Sequence, residues 1–323
     1  VVGRSSKKMK DTAGEIMGNV APDCPGSVRT ASLDTSDLTS VASFTSSLLG
    51  QLEEEGRHLD ILVNNAGIHH ASNPDIAKLP SPQGFDMAFS TNYLGHFLLT
   101  DSLLPHMGTD GRIVQIASSM HFGSHGEDLR VKLNSDGSMQ AGSIPDAANA
   151  NINSFYHEYA AYGNNKLAQV MHAISLQKRL NSGEEQAASG VKIVAVCPNW
   201  VGTPFLPDDI GGRFVSAHAF SPSAGTSSAL FGIFSSEIQG GEYVSNSNLI
   251  GKHEHGFLLY MLRFFGKINV RITATFSLSM VLLALQNSLY GAKICYPSLE
   301  ARDESLSEGL YLWSKGAVKQ FRI

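Results

Sequence analysis

One helix-length segment carries a tyrosine and a lysine at a spacing that can do acid–base chemistry. Residues 162–166 have the sequence Tyr-Gly-Asn-Asn-Lys, and side chains four positions apart lie on the same face of a helix. A nearby ammonium stabilises a phenolate, so Lys166 is expected to lower the pKa of the Tyr162 phenol. Tyr156 and Tyr159 lack a lysine at the equivalent position. The pair predicts a phenol that exchanges protons with a substrate, although this spacing alone is common on helix surfaces.

Four further motifs accompany this pair in a fixed order along the chain. A predicted strand ends in Asn-Asn-Ala-Gly at 64–67, and a second motif at 91–100 contains Asn92. A third ends a strand with two serines at 118–119, and a fourth at 191–203 ends in Pro-Asn-Trp-Val-Gly-Thr. Ligands of doubly wound sheets bind at the carboxyl ends of strands, where small residues let a cofactor approach the backbone. The motifs therefore predict a dinucleotide site.

This ordered series resembles the short-chain dehydrogenase/reductase family, across roughly residues 1–245 and again near the C-terminus. The family shows Asn-Asn-Ala-Gly, a catalytic Asn, a Ser-Ser pair, Tyr-x-x-x-Lys and Pro-Gly-x-Val-x-Thr in that order. The resemblance implies the α/β class, with a Rossmann-type doubly wound parallel sheet. It also implies an oxidoreductase that moves hydride between a nicotinamide cofactor and the carbonyl or alcohol group of a small-molecule substrate.

The resemblance assigns a role to each matching residue. Tyr162 would protonate the carbonyl oxygen, Lys166 would lower the pKa of that phenol and hold the nicotinamide ribose, and Asn92 would support proton relay. Ser119 would hydrogen-bond the substrate oxygen, with Ser118 as the alternative. A helix cap for Asn92 and a strand end for the two serines are the structural alternatives. The other residues implied at the cofactor are Asn64, Ala66, Gly67, Pro198 and Thr203, with Thr203 at the carboxamide and Asn64 also supporting the sheet centre.

The first residues bear on the choice of cofactor. Val1-Val2-Gly3-Arg4 resembles the end of the family's second strand, where NAD-preferring members usually carry Asp. A guanidinium at Arg4 pairs well with a 2′-phosphate and Gly3 leaves room for it, so NADP is favoured over NAD. Asp34 matches the residue that the family places near the adenine. The family's first strand and glycine-rich turn are expected ahead of Val1 and are missing from this chain.

Two departures from the family pattern are informative. Asn199 stands where the family usually has Gly, and Asn tolerates left-handed backbone better than most residues. The long stretch between Ser119 and Tyr162 is similar to insertions in retinol dehydrogenase-like and WW-domain oxidoreductase-like members. Together with Arg4 and a predicted helix at Ser305–Trp313, it favours the retinol dehydrogenase-like group and a lipophilic substrate.

Short apolar runs alternate with amphipathic segments, as in a parallel sheet with crossover helices. The predicted strands are Val1–Gly3, Val28–Leu33, Leu59–Asn64, Arg112–Ala117, Val191–Cys197 and Glu242–Val244, and the predicted helices include Leu38–Glu54, Asn92–Met107 and Ala160–Leu180. Residues 123–154, rich in Gly, Ser, Asn and Asp, are expected to form a loop or lid. We predict one domain over 1–323, with a core at 1–245, an apolar insert or cap at 246–297 and a C-terminal helical part at 298–323.

Composition excludes several classes of partner and site. The chain has 323 residues, a net charge of −5 and no basic stripe, which argues against nucleic acid. Three well-separated cysteines favour a reducing compartment without a disulfide framework. His69, His70, His121 and His125 lack further ligands at metal-site spacing, so no metal site is predicted.

An uncharged run at 272–292 leaves the question of membrane attachment open. Its length is close to the about 20 residues of a spanning helix, but it contains several Ser, Thr, Asn and Gln side chains. The apolar run at 257–265 suits an interfacial position. Membrane attachment on the cytoplasmic side, either spanning or peripheral, and a buried cap helix are the alternatives. Relatives often form homodimers through long helices such as the one carrying Tyr162, and the sequence leaves the oligomeric state open.

Two other functions use similar motifs. Family relatives that act as epimerases or dehydratases retain a bound cofactor and also carry Tyr-x-x-x-Lys. A dinucleotide-binding sensor would need no acid–base group, so the set of Asn92, Ser119, Tyr162 and Lys166 favours an enzyme. The Asn-Asn-Ala-Gly motif and the single-domain pattern favour a simple reductase or dehydrogenase.

Overall fold

The computed structural model of the chain describes residues 1–69, 75, 79–124, 126–132, 134–136, 138–140, 142–150, 158–203, 219–247 and 290–323. Its strands are β1 (Val2–Gly3), β2 (Ala31–Ser32), β3 (Leu59–Asn64), β4 (Met107–Ile116), β5 (Lys192–Cys197), β6 (Tyr243–Ser247) and β7 (Tyr290–Cys295). Its α-helices are α1 (Ser6–Asn19), α2 (Leu38–Glu54), α3 (Met87–Phe89), α4 (Gly95–Leu103), α5 (Glu158–Ser182), α6 (Pro222–Gly225), α7 (Ser227–Phe234) and α8 (Glu304–Val318).

The described strands form a five-stranded sheet and a separate two-stranded one. The larger sheet has the order β3-β4-β5-β6-β7, and β1 pairs in parallel with β2. The pairs from β3 to β6 are parallel, whereas β7 runs antiparallel to β6. Strand β3 has the bounds predicted from the sequence. Strand β7 was not predicted, because its residues fall within the segment 246–297 that was expected to be an apolar insert or cap.

Alternate side chains of the central strands are buried in two different apolar layers, one on each face of the sheet. On β5, Ile193 and Ala195 join the main core with α2, α4, α5 and α8, whereas Val194 and Val196 pack with Val114 and α7. This period of two is the expected pattern for a strand buried on both faces. At β5 the sheet is thus covered on both sides, which leaves the strand ends as places for a site.

The single helix predicted at Asn92–Met107 is wrong, because the structure divides these residues among several elements. Residues Ser90–Leu94 make a π-helical turn between α3 and α4, α4 ends at Leu103, and Met107 already belongs to β4. By contrast, α2 has the predicted bounds, with the Asp37 carboxylate accepting from Thr39 N–H at its start. The predicted Ala160–Leu180 helix lies within α5, and Ser305–Trp313 lies within α8.

The segment 123–154 is not a loop or lid throughout. Its described part includes short 3-10 helices at Gly126–Leu129 and Asp146–Ala148. Leu129 and Ala148 are fully buried in the main core. A few apolar side chains therefore anchor this polar stretch, because burying them removes their surface from water.

The apolar run at 257–265 lies outside the described residues, as does the run at 272–292 except for its last three residues, which begin β7. Within the described ranges, we found no helix with the length and hydropathy that crossing a membrane requires.

Candidate functional site

Helix α5 brings Tyr162 to the carboxyl end of β4 because one of its residues is glycine. A Cβ atom on Gly163 would lie 2.8 Å from the main-chain oxygen of Met120. That contact is shorter than real Cβ atoms tolerate, so only glycine allows α5 to approach the turn Ser119–Gly123 this closely. The approach sets Tyr162, the neighbour of this glycine, beside the residues that follow β4.

The Tyr162 phenol is buried, with 7% of its surface exposed. The Ser118 side chain is near enough to influence the pKa of this phenol, and the Tyr162 ring lies 4.6 Å from the His69 ring, centroid to centroid. Burial raises the pKa of Tyr162 well above its usual value, the nearby Cys197 adds to this, and the Ser118 hydroxyl opposes it. The phenol is therefore protonated at neutral pH.

The predicted lowering of the Tyr162 pKa by Lys166 does not occur in this arrangement. The Lys166 ammonium lies 5.5 Å from the centroid of the phenol ring. Its N–H groups point elsewhere, to the main-chain oxygen of Ile116 at 2.6 Å and the side-chain oxygen of Gln169 at 2.9 Å. Desolvation of the phenol is the largest influence on the Tyr162 pKa.

Lys166 is itself almost fully buried. Burial lowers its pKa to about 7, against an opposing effect of Cys197. A buried ammonium of this kind is charged only in part of the population near neutral pH, so the groups that accept its hydrogen bonds decide how often it is charged.

The structure places Ser118, and not Ser119, against the phenol. Ser118 begins the turn after β4, where its hydroxyl also accepts a hydrogen bond from Met120 N–H at 3.2 Å. Ser119 uses its main-chain N–H to donate to the Cys197 sulfur at 3.1 Å. The sequence offered both serines because they are adjacent, and the turn geometry distinguishes them.

Asn92 lies in the π-helical turn and holds the segment after β3. Its amide accepts from Ile68 N–H at 2.8 Å and donates to Ile68 O at 2.9 Å. A Cβ atom on Gly67 would lie 3.3 Å from the Asn92 side-chain oxygen. Single π-helical turns inside α-helices occur frequently at functional sites, and here the turn ties Asn92 to the small residues at the end of β3.

The other cofactor residues predicted from the sequence lie at strand ends, with varied exposure. Asn64 is buried and donates from its amide to the Thr100 hydroxyl at 2.9 Å, which ties β3 to α4. Ala66 is exposed and Gly67 is half-buried after β3, while Pro198 and Thr203 are half-buried after β5. The structure thus gives Asn64 the sheet-supporting contact and leaves Ala66 open to a ligand.

Arg4 and Asp34 meet at the ends of β1 and β2. Their charged groups are 3.9 Å apart, and their side chains are 57% and 35% exposed. Asp34 also accepts from the Ser36 N–H at 2.9 Å and the Ser36 hydroxyl at 2.7 Å. A long, exposed ion pair is worth about 0–1 kcal/mol, so the Arg4 guanidinium is free to pair with an anion.

Asn199 adopts the backbone conformation that the sequence analysis expected to be tolerated. Its φ is +63°, in the left-handed region that the family's usual glycine suits. Its amide donates to the Ser245 hydroxyl at 3.1 Å, so the side chain also links the ends of β5 and β6.

Two histidines, considered only as metal ligands in the sequence, support this site. The His69 ring lies beside that of Tyr162, tilted by 49°. His121 lies 2.7 Å from Ser118 O through Nδ1 and accepts from Ser298 N–H at 3.2 Å through Nε2. These two partners require a neutral ring with its proton on Nδ1, in keeping with burial that lowers the His121 pKa to about 4. Spacing gave no signal for these contacts, because each joins distant parts of the chain.

Comparison with known proteins agrees with this architecture. A family model described as short chain dehydrogenase matches residues 1–125. Polyprenol dehydrogenase from Danio rerio is 29% identical over 237 residues, which cover 68% of this chain and 63% of that protein. Retinol dehydrogenase 14 from Mus musculus is 31% identical over 186 residues, which cover 55% of this chain and 47% of that protein. The chain thus spans less than two thirds of the length of either relative.

Among solved structures, a short chain dehydrogenase from Burkholderia cenocepacia in complex with NADP has a TM-score of 0.51. It is 17% identical, and the match covers 75% of this chain and 82% of that one. This likeness confirms the predicted α/β fold.

Proposed function

We propose that the chain is an oxidoreductase of the short-chain dehydrogenase/reductase family, in the retinol dehydrogenase-like group to which it is similar, and from that premise follows its reaction. It transfers hydride between NADP(H) and the carbonyl or alcohol group of a lipophilic substrate, with Tyr162 as the acid and base. The observation that carries this proposal is the buried Tyr162 phenol with the buried Lys166 ammonium 5.5 Å from its ring centroid, at the end of β4 where Ser118 begins the next turn. A phenol, a hydroxyl and an ammonium then converge at the carboxyl edge of the sheet.

The protonation state of Tyr162 suits carbonyl reduction. Reduction leaves negative charge on the substrate oxygen, which must receive a proton. Burial keeps the Tyr162 phenol protonated, so the proton is in place before the reaction. The Ser118 hydroxyl can donate to the substrate oxygen or to the phenolate that remains, which stabilises both sides of the transfer.

Lys166 supplies positive charge to the same site. An ammonium has three N–H donors, and Ile116 and Gln169 accept two of them. The third can donate to a ligand hydroxyl, such as that of the nicotinamide ribose. The charge also favours a phenolate on Tyr162 after its proton has left, since opposite charges stabilise each other in a buried site.

The residues present fit a dinucleotide at its nicotinamide end and at its 2′-phosphate. A Cβ atom on Gly67 would press on the Asn92 side-chain oxygen at 3.3 Å, and the absence of a side chain lets a ligand come close to this backbone. The nicotinamide supplies or accepts the hydride. Lys166 and Thr203 would hold its ribose and carboxamide, and Arg4 would pair with a 2′-phosphate. The relative solved with NADP supports this choice of cofactor.

Two relatives support a lipophilic substrate. One is named for polyprenol and the other for retinol, which are long apolar alcohols. An alcohol of this class, or its aldehyde, is therefore the first substrate to test.

The test follows NADPH and NADH consumption by purified full-length protein with retinoid, polyprenoid and simple aldehydes in detergent. Tyr162→Phe is expected to lower turnover by at least about 100-fold, because it removes the proton donor and keeps the ring. Tyr311→Phe is the matched control, since it also removes a partly buried phenol hydroxyl, one bonded to Glu185 at 2.9 Å. Turnover that survives in Tyr162→Phe would contradict the assigned role.

The cofactor is tested in the same assay with Arg4→Ala. Loss of the guanidinium is expected to raise KM for NADPH by about tenfold, or about 1.4 kcal/mol, with little change for NADH. Equal effects on the two cofactors, or a wild-type protein that prefers NADH, would contradict the proposed 2′-phosphate contact.

A further inference from the structure

A buried glutamine lies between Lys166 and a buried histidine. Gln169 is three residues after Lys166 on α5 and is only 1% exposed. Its side-chain oxygen accepts from the Lys166 ammonium at 2.9 Å, and its nitrogen lies 3.4 Å from His96 Nδ1. An ammonium offers only donors, so the amide must present its oxygen to Lys166. The orientation of the Gln169 side chain is thereby determined.

His96 connects this pair to the turn that carries Asn92. Its Nδ1 lies 3.0 Å from the Asn92 main-chain oxygen, four residues earlier. Burial, followed by the charge of Lys166, lowers the pKa of His96 to about 3. The ring is therefore neutral, and the shorter of its two contacts assigns the Nδ1 proton to the Asn92 oxygen, so the Gln169 nitrogen lies against the ring without a hydrogen bond to Nδ1. A neutral ring here also spares Lys166 a second positive charge at close range.

We propose that Gln169 is a positioning residue whose side-chain oxygen holds the Lys166 ammonium in the site and favours its charged form. The inference rests on the proposed function, in which that charge takes part in proton transfer. His96 extends the arrangement by holding the Asn92 carbonyl beside it. No motif of the sequence analysis included Gln169 or His96.

The electrostatic surroundings of Lys166 make the glutamine oxygen important. In the described part of the chain, the titratable groups facing Lys166 are Tyr162 of its own helix, Cys197 at the end of β5 and His96 of α4. Neither Tyr162 nor His96 bears a charge at neutral pH. Cys197, the Ile116 carbonyl and the Gln169 amide are then the groups that offset the desolvation of the ammonium.

The test measures the ionisation of Lys166 directly, by NMR of protein labelled with 13C at lysine Cε, and the resonance is assigned by its loss in Lys166→Met. Gln169→Leu removes the acceptor and is expected to lower the Lys166 pKa by about one unit, a tenfold change in its dissociation constant. Gln169→Glu keeps the oxygen and adds a negative charge, so it is expected to raise the pKa by about one unit or more. Each variant is first checked for a cooperative unfolding transition.

Gln177→Leu is the matched control. Gln177 is also buried on α5, where its oxygen accepts from Ile193 N–H at 3.0 Å, but it lies about 16 Å along the helix from Lys166. Its loss is expected to reduce stability without moving the Lys166 pKa. If Gln169→Leu moved that pKa no more than Gln177→Leu does, the proposal would be overturned. Failure of Gln169→Glu to raise it would overturn the proposal equally, even if the leucine variant does not fold.

The measurement is separate from the proposed function because it requires no substrate. Where turnover exists, the alkaline limb of kcat/KM is expected to move down in Gln169→Leu and up in Gln169→Glu. Absence of turnover with the expected titration would reject the proposed reaction and leave Gln169 as the residue that positions Lys166.

Discussion

Gly95 is expected to be one of the least replaceable residues of the fold. It is the first residue of α4, immediately after the π-helical turn that contains Asn92. A Cβ atom added there would lie 1.9 Å from the main-chain oxygen of Thr35 and 2.8 Å from its carbonyl carbon. Because the opposing atoms belong to the backbone, no side chain can rotate away to make room.

The size of the effect follows from that distance. A carbon and a carbonyl oxygen pack at about 3.3 Å or more, so Gly95→Ala must separate α4 from the 34–35 segment by about 1.4 Å. Overpacking of this kind costs about 1–3 kcal/mol, and a main-chain obstacle places the cost at the upper end. The better helix propensity of alanine offsets about 1 kcal/mol of this cost. We therefore expect a net loss of about 2 kcal/mol in the free energy of unfolding.

Gly14→Ala is the control for the helix-propensity part of this estimate. Gly14 is exposed within α1, and its added Cβ would meet nothing within 4 Å. The same substitution there is expected to stabilise the protein by about 0.5–1 kcal/mol. Urea denaturation of the three proteins measures both effects. Two substitutions with the same sign would refute the steric argument, because helix propensity alone would then decide the outcome at both positions.

Three further predictions concern the site and its supports. Ser118→Ala is expected to lower turnover by about 100-fold, whereas Ser119→Ala keeps most of it, as measured by NADPH consumption. Acid should destabilise the protein through His121: its folded pKa of about 4 lies below the usual 6.5, so the stability that it contributes above pH 6.5 is lost as pH falls towards 4. His121→Gln should flatten that part of a urea midpoint-against-pH curve. Asn199→Ala should cost about 1 kcal/mol in the left-handed position, and Asn199→Gly less.

Each of these has an outcome that would reject it. Equal losses from the two serine substitutions would remove the distinction drawn from the turn after β4. An unchanged pH curve in His121→Gln would mean that this ring is not neutral and buried in the folded protein. An Asn199→Ala variant as stable as Asn199→Gly would show that the positive φ imposes no strain there.

The sequence predicted best the elements whose burial follows a simple period. The predicted bounds of α2 agree with the structure because its apolar residues recur about every 3.6 positions and Asp37 caps its start. Those of β3 agree because its apolar residues form a nearly continuous run. The π-helical turn escaped prediction because a tertiary contact maintains it: Asn92 bonds the backbone of Ile68, across 24 residues. Local periodicity carries no information about such a pair.

The supports of the site escaped prediction for a related reason. Gln169, His172 and Gln177 are polar residues that a surface helix would turn to solvent, yet all three are buried on α5. That helix packs between the sheet and α8, so these polar groups are satisfied across elements, as Gln169 is by Lys166 and His172 by Gln115. Family motifs mark the residues that touch ligands, and they leave the residues behind them unmarked.

Burial raises the pKa of Tyr162 and lowers the pKa of Lys166, the two central groups of the site. It keeps Tyr162 protonated and makes Lys166 easier to deprotonate, because each loses solvation of its charged form. The ammonium–phenolate pair inferred from the Tyr-x-x-x-Lys spacing is therefore not the resting arrangement. A neutral phenol and an ammonium held by Ile116 and Gln169 are the starting state. In the proposed reaction, the ion pair would develop only as Tyr162 gives up its proton, when attraction in a buried site is strongest. Charge separation is thus confined to the step that needs it, and substitutions at Gln169 should alter that step more than they alter substrate binding.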